Sequence, residues 1–282
     1  MTSNALMALN GGAELTELEQ AILAEQADEV NAFDYIPTRI KFPTGDISAF
    51  TTNDGDILKP PFVAVAAVSQ KGRAFWPDKD SQGLIPLCSS PDGVKGIFNI
   101  DDPDQAKLAA SLPIRHPALN MLSGASGPHR CATCPLAQWG SGEGRGQACK
   151  SMIKLLLLVK DWSMPVVLTI PPTSIKAWSA YASVRQQKKG QTYYTCWTKF
   201  DLEGTRNAQG TKYSILKVSI EKPLSEDEIR HVLDLRRQYA DIVRNMGITS
   251  EDYDTEGGAV DGRVVDAETG EILEGEAGQI PF

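Results

Sequence analysis

The chain has 282 residues, 41% of them hydrophobic, and a formal net charge of -8. That is enough apolar material for one sizeable core with a sub-domain, and it excludes a wholly disordered or low-complexity protein. The longest aliphatic run, LLLLV at 155–159, falls far short of the ~20 residues a membrane-crossing helix needs. The N-terminus lacks a basic region followed by a long apolar one, so the sequence predicts a cytoplasmic protein with reduced thiols and no membrane partner.

The charge is uneven. Residues 1–34 carry seven acidic and no basic side chains, and residues 250–282 carry ten acidic and one basic, which leaves residues 35–249 at +8. Three segments are therefore expected: an acidic N-terminal arm (1–34), a basic body (35–249) and a disordered acidic tail (250–282). A basic body points to a polyanionic partner, the alternative being an ordinary charged surface.

In chain order, Leu15, Leu18 and Ile22 at helical spacing predict a short acidic helix. From Tyr35 to Ile100 the text reads as strands broken by turn formers: TRIKF, DISAF and PFVAVAAVSQ. A glycine-rich cysteine stretch runs to Lys150, followed by the buried-type strand MPVVLTIPP and a helix in TSIKAWSAYASVRQQ with Thr173 or Ser174 as N-cap. Strands are expected in TYYTCWTKFDL and KYSILKVSIEKP. The last folded element is a helix starting at a Ser225/Glu228 capping box, burying Ile229, Val232, Val243 and Met246, and stopping at Gly247.

Cysteine spacing is the sharpest signal. Cys131 and Cys134 form a CxxC pair, Cys149 follows after fourteen residues, and a fourth ligand is supplied by Cys88 beside a turn, with His129 the alternative. Four thiolates predict one zinc per chain in a sub-domain spanning about 86–150, and would also suit an iron–sulfur cluster. A closed four-thiolate site has no open position for catalysis, so its expected role is structural. Two unrelated buried thiols are the plainer reading of the CxxC pair, and Cys196 reads as core.

Two aromatic–cationic clusters suggest nucleic-acid contact. Period-2 alternation puts Tyr193, Thr195, Trp197 and Lys199 on one face of a strand, with Lys188, Lys189, Arg206 and Lys212 nearby. SQKGRAFWPDK offers Lys71, Arg73, Phe75 and Trp76, and Trp139 could extend the path. Such faces can stack bases while cations follow phosphates; alternatively the rings pack into the body under snorkelling lysines. No phosphate loop, nucleophile elbow or HExxH motif occurs, so no enzyme is expected.

Three resemblances bear on these residues. Ile280, Pro281 and Phe282 behind an acidic, glycine-containing stretch resemble the C-terminal tip of bacterial single-stranded DNA-binding proteins, which implies docking onto replication and repair proteins. Cys131 to Lys150 and Cys88 to Gly93 resemble the CxxCP…WGS…GxGxxCK and CxSxDG stretches of a set of phage and prophage proteins, which implies a metal-bound fold and supports Cys88 as a ligand. A zinc-bearing basic body with an acidic tail resembles the helix-destabilising protein of T-even phages, which implies an OB-fold core. The expectation is thus an α+β body with an OB-like β-barrel and a four-cysteine zinc sub-domain. It would bind single-stranded DNA without sequence preference in replication, recombination or repair, and recruit partners through its tip. The alternatives are a zinc-stabilised phage adaptor for a host protein, and an iron–sulfur nuclease or recombinase.

Overall fold

The computed structural model describes residues 37–252 apart from short stretches, chiefly 44–48, 78–85, 113–117, 120–126, 143–145 and 207–211, and two further strands at 263–265 and 272–274. The expected acidic helix at 15–22 and the tip residues Ile280, Pro281 and Phe282 lie outside the described residues.

The fold is α+β with a mixed sheet. Its strands are β1 (Thr38–Lys41), β2 (Phe50–Thr52), β3 (Ile57–Leu58), β4 (Phe62–Phe75), β5 (Cys88–Ser90), β6 (Lys95–Phe98), β7 (His129–Arg130), β8 (Lys150–Val159), β9 (Val166–Ile170), β10 (Cys196–Arg206) and β11 (Lys212–Pro223). They run in the order β3-β2-β1-β9-β8-β4-β5-β6-β7, with β10 and β11 branching from β4. Pairing is antiparallel except between β1 and β9. Among the described residues three α-helices accompany the sheet: α1 (Pro103–Ser111), α2 (Pro172–Gln186) and α3 (Glu226–Asn245).

The OB-like barrel is corrected by this topology. β4 pairs with β8 from Ala64↔Val159 to Ala74↔Lys150, and its other edge is divided between β10 at the start and β5 at the end. One strand with two partners along one edge splits the sheet, so it branches, and its end strands β3 and β7 are not neighbours.

Both faces of this sheet are covered, which explains why PFVAVAA and LLLLV are continuous rather than alternating. Leu155 and Leu157 point to one face, packed with Phe62, Phe200 and Trp178 of α2. Leu156 and Leu158 point to the other, packed with Val65, Trp197 and Val232, Leu235 and Val243 of α3. Helix α3 begins at the expected Ser225/Glu228 capping box. Helix α2 has no side-chain cap; it starts after Pro171, and Ser174 instead accepts a hydrogen bond from the Leu216 backbone N–H at 2.9 Å.

The segment after α3 folds back onto the sheet. Asp252, fully buried, pairs with Arg39 at 2.6 Å and accepts from Thr169 Oγ1 at 2.7 Å and the Thr249 N–H at 2.8 Å. Beyond it, in the stretch expected to be disordered, β12 (Arg263–Val265) and β13 (Ile272–Glu274) pair antiparallel. Lys154, the one charge in the β8 apolar run, is also fully buried. Its Nζ donates to the carbonyls of Val243 at 2.7 Å and Met246, the last turn and C-cap of α3. These are carbonyls that no helical N–H reaches.

Burial lowers the Lys154 pKa from 10.5 to about 8, although Asp252 opposes the shift. The neutral amine still carries two N–H groups, enough for both carbonyls. Between these two pKa values the unfolded chain holds a proton that the native chain has released, so stability from this lysine rises with pH across the window. Comparing wild type with Lys154→Met by urea denaturation at pH 8 and near pH 10 is expected to show the rise in wild type and its loss in the variant. Equal pH dependence in the two proteins would show that Lys154 is not the titrating group.

Candidate functional site

The cysteine sub-domain hangs from one end of the β4–β8 ladder. Cys88 stands opposite Phe75 of β4 and Phe98 of β6. Cys131 opens a 3₁₀ turn (Cys131–Thr133), its N–H donating to the Val94 carbonyl at 2.9 Å, and the Cys134 N–H closes the turn on the Cys131 carbonyl at 3.2 Å. A second 3₁₀ turn (Pro135–Ala137) follows, and the Cys149 N–H donates to the Leu136 carbonyl at 2.8 Å just before β8 begins. Gln138 tightens the loop by donating to the carbonyls of Ala132 and Cys134 at 3.1 and 3.2 Å.

These elements bring Cys88, Cys131, Cys134 and Cys149 to the wall of one small pocket, together with His129 and Arg73. All four are buried free thiols. His129 Nε2 lies 3.8 Å from Cys88 Sγ, and its ring stacks on Phe98 at 5.1 Å. Gly96 is needed at the contact: a Cβ there would come within 2.9 Å of the His129 ring and 3.2 Å of Cys88 Sγ.

Burial, reinforced by the neighbouring thiols, pushes the Cys88 thiol far up, and burial pushes Cys149 to about 12 although Arg73 opposes it. Burial also raises Cys131, against the pull of Ser90 and Arg73, and lowers the His129 pKa. Arg73 NH1 and His129 Nδ1 are buried without a hydrogen-bond partner among the described residues.

The zinc expectation is corrected here. Among the described residues no group of three or more His, Cys, Asp or Glu side chains could hold a metal ion. The same finding removes the iron–sulfur cluster, and with it the metal-stabilised adaptor and the nuclease or recombinase.

The base-stacking surface is corrected too. Phe75 and Trp197 are 1% and 2% exposed, and Trp197 Nε1 donates to Glu228 of α3 at 3.1 Å. Strand β10 starts only at Cys196; Tyr193–Thr195 is a 3₁₀ turn, so the expected face alternation fails. Tyr193 is half-buried against Trp178, with its hydroxyl reached by Arg236 at 3.3 Å. Trp76 packs beside Ile248, and Arg73 and Lys199 are half-buried.

Lys71, Trp139, Lys188, Lys189, Arg206 and Lys212 are exposed but dispersed. Lys71 sits in the far half of β4 opposite Ile153, whereas β10 joins at Val63 and Ala64. Arg206 and Lys212 face each other at the open end of the β10–β11 hairpin. No protein-family model, curated protein or solved structure matches the chain. With no barrel and no metal-holding group among the described residues, the phage and single-strand-binder resemblances and the single-stranded DNA function drawn from them are without support.

Because the Trp197 ring lies in the core under α3, Trp197→Ala is expected to cost ~3–5 kcal/mol in urea denaturation, the range for emptying a large aromatic site. A loss below ~1 kcal/mol is what a solvent-facing ring would give.

Proposed function

We propose that the chain is a non-catalytic docking protein of the cytoplasm that holds an acidic protein segment on the outer face of its cysteine sub-domain. The observation that carries this reading is a strip of exposed apolar and cationic side chains. Lys95 and Arg130 face each other across β6 and β7, and Lys95 and Ile97 share one face of β6, on the side away from buried Gly96 and Phe98. Lys71 abuts Gly93 in the preceding turn. Val94 and Ile97 are 60% and 50% exposed, and Trp139 on the same sub-domain is 80% exposed.

Exposed apolar groups rimmed by charge mark interaction surfaces, and Trp and Arg are the residues most often dominant in binding. The acidic side chain in the strip, Asp92, is turned inward on its own loop: it accepts from the N–H groups of Val94 and Lys95 at 2.7 and 2.9 Å and from Ser90. Those bonds hold its carboxyl below the usual range despite desolvation acting the other way. On α3 the cations Arg230, Arg237 and Arg244 are balanced locally, each paired with an acid one turn earlier. The strip therefore combines positive charge with apolar area, which suits an acidic segment carrying apolar side chains.

A photo-crosslinking residue at position 139 tests this against the same residue at position 184, where Val184 on α2 is 61% exposed. The expected result is cross-links from position 139 to acidic protein segments, weakened at least tenfold by Ile97→Ser with Arg130→Glu and strengthened at low salt. Cross-links of equal yield from both positions, or to nucleic acid alone, would overturn the reading.

A further inference from the structure

We propose that Cys131 and Cys134 form a dithiol–disulfide couple, with Cys131 as the attacking thiol, that exchanges with small-molecule disulfides. The pair is set by backbone geometry. Cys134 closes a 3₁₀ turn on Cys131 through an N–H···O bond of 3.2 Å, and three residues of 3₁₀ rise separate their Cα atoms by about 6 Å, within the range a disulfide spans. Cys88 is held inside β5 and Cys149 at the mouth of β8, each fixed by ladder pairing nearby. The two residues between the pair, Ala132 and Thr133, are exposed, so an incoming disulfide can approach the turn from solvent.

The pocket also contains what an attacking sulfur requires. Burial raises the Cys131 pKa on balance, while Ser90 and the Arg73 guanidinium pull toward the thiolate; Arg73 pulls on Cys149 as well. A cation beside a thiolate lowers the cost of forming it. Burial favours the protonated Cys131 thiol at rest, so exchange proceeds through local opening of the turn.

The chemistry balances without metal or enzyme. The Cys131 thiolate attacks one sulfur of the small disulfide, its S–S bond breaks, and one thiol leaves with that electron pair and a proton. The Cys134 thiolate then attacks the Cys131 sulfur, the Cys131–Cys134 bond forms, and the second thiol leaves. The protein gives up two protons and two electrons, and the disulfide is reduced to two thiols.

The test uses the native full-length chain in oxidised and reduced glutathione at a series of ratios, quenched in acid, alkylated and digested with trypsin. Cleavage after Arg130 and Arg145 places Cys131 and Cys134 together on residues 131–145, with Cys149 alone on 146–150 and Cys88 on 80–95. The expected product is a 131–145 peptide two hydrogens lighter and unalkylated, while Cys88, Cys149 and Cys196 remain alkylated. Cys134→Ser is expected to trap glutathione on Cys131, and Cys131→Ser to leave Cys134 unmodified. Should either variant fail to fold, the wild-type map decides alone. Full alkylation of 131–145 at every ratio, a link from it to 146–150 or 80–95, or glutathione retained on the wild-type pair would each overturn the proposal.

Discussion

The β4–β8 ladder is the constraint on which the rest of the molecule depends. It runs without a break in strand direction from Ala64↔Val159 to Ala74↔Lys150, and each of its ends has a separate use. At the β4 start, β10 attaches and carries Trp197 and Phe200 to opposite faces of the core. At the β4 end, β5 attaches through Phe75↔Cys88, and β8 begins directly after Cys149. The thiol pocket is thus built where two strands leave the main sheet, and its position follows from the core ladder and not from any ligand. A shift of one residue in this register would turn Leu155 and Leu157 to the face of α3 and disrupt both cores together.

The irregular point in the ladder is also where the far side of the molecule is fastened. The register slips between Ala66 and Val68, as at a bulge, where one residue is left out of the ladder. Arg236 of α3 donates to the Ala67 carbonyl and lays its guanidinium 4.1 Å over the Tyr194 ring. One side chain so links the bulge, the 3₁₀ turn before β10 and the helix. The C-terminal end of α3 is held in the same manner by Lys154, reaching from β8 to the Val243 and Met246 carbonyls. Two cations bonded to backbone oxygens, Lys154 buried and Arg236 half-buried, fix α3 across the sheet, and the Trp197–Glu228 bond fixes its start. Helix α3 has little apolar surface to spare on its outward side, where three arginine–carboxylate pairs lie exposed and contribute little stability.

Local signals in the sequence were enough where local physics decides. The capping box at Ser225 and Glu228 marks the start of α3, and VVLTI between turn formers marks β9 as a buried strand. Helix α2 was legible as well, although its cap was not, because Ser174 is drawn into a bond with β11 forty-two residues away. The aromatic face of β10 was misread for a tertiary reason: alternation reports which residues share a side, not whether a helix later in the chain will cover that side. Trp197 is covered by α3, so both faces are interior at the start of the strand. The lone lysine in MIKLLLLV was not read as a structural residue, because its partners are carbonyls at a helix end about ninety residues on, which no pattern in the sequence specifies.

The cysteines show the same limit in its chemical form. Spacing correctly indicates that Cys131, Cys134 and Cys149 lie on one compact loop, and Cys88 joins them because β5 pairs with the end of β4. Spacing does not report protonation state, and that depends on the walls around the sulfur atoms. Phe75, Leu136 and Ala137 line the pocket with the thiols, and an apolar wall favours the uncharged form. Arg73 pulls the other way at Cys131 and Cys149, yet burial outweighs it at both. That competition is confined to the pocket, which makes the surface of the sub-domain and its interior separable. The outer strip of Lys95, Ile97 and Arg130 is set by β6–β7 pairing, and that pairing places the two cations opposite each other whichever form the pocket thiols take.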